Sequence, residues 1–386
     1  MSFVQVPVRG FDRAVTFLRA GVVLAAVTLA GCGPTSGGRV VSAESGATDV
    51  SIPRPAFTLT DTDGMPYAFA ERTAGTLTFL EFGYTNCPDV CPVHMANLST
   101  VIANLAPSDR MRLTVVFVTV DPDRDSAAAL RKWLNAFSVD FIGLRGTREE
   151  VDAVQQLIGF GGAIVGVDSG GATTVTHAAP VVVFTADDTA HVMYPFGTRQ
   201  ADWIRDMPRL LARKGHRRPA NASSVAAPSV LAPSALTPSA LTPSVERAYV
   251  VIPAAKGPAA IYFAASNPTG SPDSILSVAT EAIGPASLHE SVHDHLTNTM
   301  SMQPLAALAV PARGTARLVP GGAHGMISPL GRALVRGERI ALTVQFARAG
   351  AVRTTATVIT YADVDTATTT ATTTATTTAT TTAVRK

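Results

Sequence analysis

The chain has 386 residues, of which 46% are hydrophobic and only 16% charged, and its formal net charge is +2 at pH 7. That length exceeds one ordinary domain and predicts two or three. So small a net charge gives no electrostatic support for binding nucleic acid. Ala and Val in low-complexity stretches supply much of the hydrophobic content. Beyond the N-terminus, no segment is long and apolar enough to cross a membrane.

The first 32 residues have the pattern of an export signal. Three arginines precede an apolar stretch at residues 20–30, which is shorter than the roughly 20 residues that a transmembrane helix needs. The stretch ends in Leu29-Ala30-Gly31-Cys32, which resembles a bacterial lipobox and implies that the signal is removed and Cys32 acylated. We therefore predict a lipid-anchored chain on the outer face of the cell membrane, in an oxidising compartment. An uncleaved membrane anchor is the alternative.

Composition divides the remainder of the chain. A Gly-, Ser- and Ala-rich tether is predicted at 33–51, a first domain at 52–213 and a Pro/Ala/Ser linker at 214–246. Prolines recur every five residues at 228, 233, 238 and 243, which keeps a backbone extended and prevents a packed core. A second domain is predicted at 247–362, and the Thr/Ala repeats at 363–386 predict a disordered tail.

The first domain alternates apolar runs and helical patterns, which predicts a thioredoxin-like α/β fold. Two β-rich runs and a terminal hairpin accompany three helical segments, the last of which closes the domain. The strands are expected at 77–82 and 113–120, the hairpin at 181–185 and 191–194, and the helices at 126–137, 148–157 and 201–211.

Two of the chain's three cysteines, Cys87 and Cys91, lie at the junction between the 77–82 run and a helical pattern at 93–105. A helix N-terminus lowers a thiol pKa, so these sulfurs are expected to be reactive or metal-binding. Three intervening residues distinguish the pair from a two-residue redox motif, and the i, i+4 spacing lets both sulfurs face one ion. Soft thiolates with one imidazole suit Cu(I), and His177, just before the strand predicted from 181, is the candidate imidazole. The alternative for His177 is an ordinary capping or loop histidine.

Together with the cysteines and His177, two further segments of this domain resemble the Sco/SenC family of copper chaperones. They are Val120-Asp121-Pro122-Asp123-Arg124-Asp125 and Tyr194-Pro195-Phe196-Gly197. The resemblance covers 52–213 and implies a thioredoxin-like fold that binds copper through Cys87, Cys91 and His177. It also implies a role in maturing the copper-A centre of cytochrome c oxidase, with subunit II as the client.

Other polar residues near these motifs have competing interpretations. Asp121 and Asp123 are expected near the site, whereas Asp125 is equally well explained as a cap of the helix that begins at 126. Met95 is expected in the core and His94 on the surface of the first helix.

The second domain is predicted to be an all-β sandwich without cysteine. Short β-rich runs alternate with turns, at 249–252, 260–265, 274–280, 317–319, 339–346 and 352–360. Its notable feature is a cluster of imidazoles and thioethers, a donor set that holds Cu(I) without forming disulfides. The cluster comprises His289, His293, His295, Met300, Met302, His324 and Met326. Methionines in a β core and histidines on a hairpin turn are the alternative.

This pattern resembles the periplasmic PCuAC family of copper chaperones over 247–361, which implies a cupredoxin-like sandwich. Met302, twenty-one intervening residues and His324-Gly325-Met326 match the downstream half of that family's motif. Upstream, the family has ten residues between its first His and first Met, whereas His289 and Met302 have twelve between them. We interpret the difference as a two-residue enlargement of the hairpin tip. The predicted ligands are therefore His289, Met302, His324 and Met326, with Met300, His293 and His295 as auxiliary candidates.

Two classes of function follow. The favoured one is a copper carrier that holds Cu(I) at two sites, with Cu(II) as an alternative ion at the first, and passes it to a client. The second is a thiol–disulfide reductase that uses Cys87 and Cys91, and a copper-tolerance buffer is a third. Fusion to a second copper domain favours the carrier, and the linker is expected to let the two sites meet.

Overall fold

The structure is a computed structural model, and it describes residues 47–167, 173–213, 242–255, 257–294 and 297–373. Cys32, His295 and most of the predicted linker lie outside the described residues. Within the described ranges, no helix is both long and apolar enough to cross a membrane.

The first domain contains the strands and helices that its hydrophobic pattern predicts, together with further elements that the pattern does not. Its elements are β1 (Thr48–Pro53), β2 (Thr58–Asp61), β3 (Pro66–Ala68), α1 (Phe69–Thr73), β4 (Leu77–Gly83), α2 (Val90–Ala103), α3 (Pro107–Arg110), β5 (Leu113–Thr119), α4 (Ala127–Leu134), β6 (Ile142–Arg145), α5 (Arg148–Leu157), β7 (Ile164–Val167), β8 (Thr173–Ala178), β9 (Val181–Phe184), β10 (Thr189–Tyr194) and α6 (Gln200–Ala212).

Eight of these strands form one mixed sheet in the order β1-β10-β9-β4-β5-β6-β2-β3. The central strands β4, β5 and β6 are parallel, and β9 joins β4 in antiparallel register. Every residue of β4 is buried, as expected for a central strand that is covered on both faces. The metal-binding candidates follow the carboxyl end of this central strand.

The second domain is all-β, as predicted, and ends in a helix. Its elements are β11 (Ser244–Val251), β12 (Ala259–Asn267), β13 (Asp273–Thr280), β14 (Ala286–Asp294), β15 (Thr299–Pro304), β16 (Leu308–Val310), β17 (Gly314–Leu318), β18 (Ala323–Ile327), β19 (Arg339–Phe346), β20 (Gly350–Ile359) and α7 (Tyr361–Thr373).

These strands follow the order β16-β13-β19-β20-β11-β12-β18-β14-β15, with β17 also paired to β12. The path folds over, so that β13 contacts β14 and one apolar core lies inside. The sheet then continues into the first domain, because β15 pairs with β8 and β8 pairs with β7. The two domains are therefore joined by backbone hydrogen bonds as well as by side chains.

Three predicted boundaries differ from the structure. The tether prediction is wrong at residues 48–51, because β1 begins at Thr48 and pairs with β10. The linker prediction is wrong at its end, because β11 begins at Ser244. The disordered-tail prediction is wrong for 363–373, which belong to α7. This helix forms because Tyr361 and Val364 are buried in an interdomain cluster with Val93 and Ala96 of α2.

Candidate metal centres

The turn between β4 and α2 brings the two thiols against the central strand. Cys91 lies in the first turn of α2, and Cys87 lies in the loop before it, where its N–H donates to the carbonyl of Tyr84 at 3.2 Å. Gly83, the last residue of β4, makes the approach possible. A Cβ at Gly83 would stand 2.6 Å from Cys91 Sγ, which no side chain tolerates.

The carboxylate of Asp125 anchors the loop that carries Cys87. It accepts hydrogen bonds from the Thr85 backbone N–H at 2.9 Å, the Thr85 hydroxyl at 2.5 Å and the Thr119 hydroxyl at 2.6 Å. The capping interpretation of Asp125 is wrong, because Ser126 is the N-cap of α4 and accepts from the Ala129 N–H. Asp125 instead ties the thiol loop to the end of β5.

The structure brings Cys87, Cys91 and His177 together. One donor atom from each lies within 4.8 Å of the others, and all three residues are buried. Cys91 Sγ is 3.9 Å from His177 Nε2. The alternative interpretation of His177 as a loop histidine is wrong, because His177 lies on β8, whose alternation turns its side chain towards the thiols. Both cysteines are free thiols.

The orientation of the His177 ring fixes which nitrogen can bind a metal. Its Nδ1 is 2.8 Å from the carbonyl oxygen of Ala178, which can only accept, so Nδ1 carries the proton. Nε2 is the nitrogen that faces Cys91, and it can bind a metal only in its unprotonated form. A backbone carbonyl of this kind commonly orients a metal-binding histidine.

The two thiols have opposite acidities. Burial opposes ionisation of Cys87, but hydrogen bonds from Cys91 and His177 and the charge of His177 hold its pKa well below the usual range. Burial raises the pKa of Cys91 well above its usual range, and the hydrogen bond to Cys87 and the negative charge there add to the effect. Cys87 is therefore the thiolate of the metal-free pair, and Cys91 retains its proton.

Aromatic and charged groups surround this trio. Tyr84 meets the His177 ring edge-on with centroids 5.5 Å apart, and the Arg124 guanidinium lies 5.9 Å from the Tyr84 ring centre. Arg124 is paired with the buried carboxylate of Asp121. Asp121 thus acts on the site through Arg124 and Tyr84. Asp123 instead is exposed and pairs with Arg148 at 3.1 Å.

A buried Glu81–His94 pair is the feature that sequence reasoning missed. The surface prediction for His94 is wrong, since its ring is fully buried with Nδ1 3.2 Å from Glu81 Oε1, whereas the core prediction for Met95 is confirmed. Burial raises the pKa of Glu81, and the charge of His94 partly offsets this. Among the described residues, Glu81 Oε2 and His94 Nε2 are both buried without a hydrogen-bond partner. A glutamate within an otherwise apolar strand was the available signal.

In the second domain the predicted ligands share one face of three adjacent strands. Residues directly opposite in an antiparallel pair point to the same side. His289 lies opposite His324, and their rings stack with centroids 6.0 Å apart. Met326 lies opposite Ser287, which is two residues from His289 on β14 and points to the same face. His289, His324 and Met326 therefore form one compact group.

Met302 lies opposite Ser291 rather than His289, two residues further along β14. Ten residues separate Ser291 from Met302, so Ser291 occupies the place where the resemblance expects the first histidine. The register gives no sign of an enlarged hairpin tip that would restore His289 to that place. Further along, Met300 lies opposite His293 on β14 and opposite His177 on β8, and His293 is partly buried.

His324 is oriented in the same way as His177. Its Nδ1 lies 3.0 Å from the carbonyl oxygen of Gly322, and its Nε2 is buried without a hydrogen-bond partner among the described residues. A buried nitrogen lone pair without a donor is costly unless something binds it. The second group therefore also fits a soft cation.

Asp89, which lies between the two cysteines in sequence, joins the metal loop to the second domain. Its carboxylate accepts hydrogen bonds from the Tyr262 hydroxyl at 2.6 Å, the Ser291 hydroxyl at 2.8 Å and the Gly321 N–H at 2.9 Å. His324 Nδ1 lies 3.7 Å away. Burial raises the pKa of Asp89, although the nearby His324 and the hydrogen bonds from Tyr262 and Ser291 oppose this shift. Asp89 thus links the loop that carries the thiols to a histidine of the second candidate centre.

Two further contacts seal the interface. Gly321 packs so closely on Phe196 that a Cβ would stand 1.3 Å from the Phe196 ring. The Tyr361 hydroxyl donates to the carbonyl of Pro88 at 2.8 Å. The metal loop is therefore covered both by the β18 side of the second domain and by α7.

A small cavity remains between the domains. It is lined from the first domain by Cys87 and His177 among others, and from the second by Ser291, Met300 and Met302. Its free space is about 10 Å³, close to the minimum for one water molecule. An organic substrate does not fit, whereas a single ion does.

Comparisons with known proteins agree with this division. Residues 46–212 match the family model SCO1/SenC, and residues 243–358 match the LpqE-like lipoprotein model. The mitochondrial protein SCO2 of Saccharomyces cerevisiae is 36% identical over 98 residues, which are 25% of this chain and 32% of that protein. The chain therefore spans about a third of that relative's length.

Two solved structures are similar to the two parts. Bradyrhizobium japonicum ScoI with copper bound is 28% identical, covers 42% of this chain and 99% of its own, and has a TM-score of 0.37. The apo PCuAC domain from PmoF1 is 25% identical, covers 31% of this chain and 94% of its own, and has a TM-score of 0.27. From the two family matches, residues 46–212 are a SCO1/SenC domain and residues 243–358 an LpqE-like domain of the PCuAC type, so the chain is a fusion of the two.

Proposed function

We propose that this protein is a copper chaperone that holds Cu(I) through Cys87, Cys91 and His177. The observation that carries the proposal is three soft or borderline donor atoms within 4.8 Å of one another in a buried pocket. Two thiolates and one imidazole suit low-coordinate Cu(I), and oxygen-seeking ions such as Mg²⁺ or Ca²⁺ would find no carboxylate among these donors.

The pKa values of the two thiols determine which of them must lose a proton when copper binds. Cys87 supplies a thiolate at once, because its pKa is held well below the usual range by hydrogen bonds and the nearby imidazole, despite burial. Cys91 must lose its proton to become the second ligand, because burial raises its pKa. Copper binding therefore releases a proton, and the apparent affinity rises with pH.

Copper titration of the full chain tests the assignment. Cys87→Ser and Cys91→Ser should each remove one tightly bound equivalent of Cu(I), since one thiolate with one imidazole is a poorer site. Cys32→Ser is the matched control, because Cys32 is the third cysteine of the chain and is not among the three proposed donors. Stoichiometric tight binding retained in both site variants would refute the assignment.

For the client, we propose the copper-A centre of cytochrome c oxidase, through subunit II, as the Sco/SenC resemblance implies. Deleting the gene should lower the copper content of the oxidase, and the wild-type chain but not Cys87→Ser should restore it. Normal oxidase with heightened sensitivity to copper would instead favour the buffering function.

Thiol–disulfide exchange is a second candidate, favoured by the paired free thiols with one thiolate. His177→Ala separates the two functions. A carrier should lose copper affinity and client maturation together in this variant, whereas a reductase should still reduce a disulfide-bonded client peptide. Client maturation by a His177→Ala chain that cannot hold copper would support the reductase.

We also propose that the chain is an extracytoplasmic lipoprotein anchored through Cys32. The Leu29-Ala30-Gly31-Cys32 segment supports this, as does the lipoprotein description of the LpqE-like family. Cys32→Ser should move the chain from the membrane fraction to the soluble one and remove the mass of the acyl groups. Unchanged mass and fractionation would contradict lipidation.

A further inference from the structure

The cavity beside the copper trio is shared by the two domains. Met300 and Met302 of β15 line it together with Cys87 and His177. Met300 is 5% exposed and packs in the same apolar cluster as Cys87 and Cys91. Two thioethers from the second domain thus lie at the mouth of the first domain's site.

Strand register explains why they lie there. Met300 is directly opposite His177 where β15 pairs with β8, so both side chains project from one face of the joined sheet. Met302 is two residues further along β15 and therefore shares that face. The backbone hydrogen bonds that dock the domains place the thioethers next to the imidazole.

The second domain offers Met302 a serine where the resemblance predicts a histidine. Ser291 stands in the row of Met302, and its hydroxyl is committed to Asp89 at 2.8 Å. His289 and His324 pair with each other in the next row, and His293 lies opposite Met300. Met302 therefore lacks a neighbouring histidine in its own row, whereas Cys87 and His177 lie across the cavity.

Resting on the copper function proposed above, we propose that Met300 and Met302 are thioether ligands of the Cys87/Cys91/His177 centre in the docked chain. The second domain thereby completes the first domain's site rather than only holding a separate ion. Thioether sulfur is soft and matches Cu(I). The free space of about 10 Å³ admits one ion among these donors and little else.

X-ray absorption at the copper edge of the full chain, loaded with one equivalent of Cu(I), tests this proposal. Wild type should show more than two sulfur neighbours. Met300→Leu/Met302→Leu should show two, with about tenfold weaker Cu(I) binding, because leucine fills similar space without a donor. Met111→Leu is the control, since Met111 is 82% exposed and remote in sequence from both centres.

Selenomethionine labelling provides a second readout that removes no side chain. Copper should appear in the selenium-edge spectrum of the labelled wild type, and this signal should fall in the double leucine variant. Equal sulfur number, affinity and selenium signal in the two chains would overturn the proposal while leaving copper on the thiolates. A wild-type chain that binds no copper through Cys87 and Cys91 would instead overturn the proposed function itself.

Discussion

The two candidate centres are built differently. The first takes its donors from a loop, from the helix that follows that loop and from a strand 86 residues beyond Cys91, and it encloses them within 4.8 Å of one another. The second takes its donors from neighbouring strands, with the His289 and His324 rings stacked at 6.0 Å. The donors of the first centre approach one point from different directions. The donors of the second centre lie side by side on one sheet face, where strand register sets their positions.

The two centres nevertheless orient one histidine ring in the same way. In His177 and in His324, Nδ1 points to a backbone carbonyl and leaves Nε2 for a ligand. The same imidazole orientation thus recurs on two unrelated scaffolds. The orientation of each imidazole ring is therefore set by its local backbone, while the number of donors around the ring depends on the surrounding fold.

Removing His324 should have the largest effect on this comparison. His324→Ala deletes a ligand of the compact second group, so we expect the second copper equivalent to weaken by about a hundredfold or more, the upper end of the loss seen for outer-sphere partners alone. The first equivalent should keep its affinity. Isothermal titration calorimetry of the full chain, or Cu(I) titration against a competing chelator, measures the affinities of both equivalents.

His191→Ala is the control for that variant, because His191 pairs with Asp187 on the first domain and belongs to neither centre. A His324→Ala chain that still binds two equivalents tightly would show that the sheet face is not a metal centre.

Preventing docking should have the next largest effect. In Gly321→Ala the new Cβ would stand 1.3 Å from the Phe196 ring, so the interface must open. We expect Cys87 of the metal-free chain to be alkylated about tenfold faster, which corresponds to about 1.4 kcal/mol of docking free energy. Amide exchange at β8 and β15 should quicken together with the alkylation.

Gly337→Ala is a matched control for backbone strain. Gly337 also has a positive φ, at +86° against +71° for Gly321, but a Cβ there would meet nothing within 4 Å. Both variants carry the cost of a left-handed alanine, and only Gly321→Ala carries the clash. Equal alkylation rates in the two variants would argue against the docked arrangement.

The smallest expected effect concerns Glu81, a buried carboxyl group that lies near the first centre. Burial raises the pKa of Glu81, so its stabilising contribution is complete below the ordinary glutamate range near ~4.3 and is lost as pH rises through the raised pKa. Each unit of such a shift corresponds to about 1.4 kcal/mol. Wild type should therefore lose stability relative to Glu81→Gln as pH rises.

Denaturant unfolding from pH 4 to 8 measures this difference, with the exposed Glu149→Gln as control. The groups that act on Glu81 are His94, His177 and Cys87, so the comparison is made on the metal-free chain. Parallel stability curves for wild type and Glu81→Gln would contradict the predicted dependence.

Local patterns predicted much of the first domain. The apolar run at 77–82 became β4, the pattern at 148–157 became α5 with the same bounds, and the spacing of Cys87 and Cys91 indicated a shared ion. These features depend on residues close in sequence. The choice of His177 required the family resemblance, because no local pattern distinguishes it from a loop histidine.

The errors share a cause, which is contact between distant segments. His94 was expected on the surface because a single helix normally keeps one face in water, yet α2 packs against α6 on one side and α7 on another. The pairing of Ser291 with Met302 depends on strand register, which the spacing of histidines and methionines alone did not reveal. Neither relation is encoded within a short window of sequence.

The position of Asp89 makes copper binding and domain docking reciprocal. Its oxygens accept three hydrogen bonds from the second domain, while its backbone belongs to the loop between the two thiols. Thermodynamic linkage then requires that whatever docking contributes to copper affinity, copper contributes equally to docking. A client that pulled the domains apart would therefore weaken copper binding at the proposed site by the same free energy.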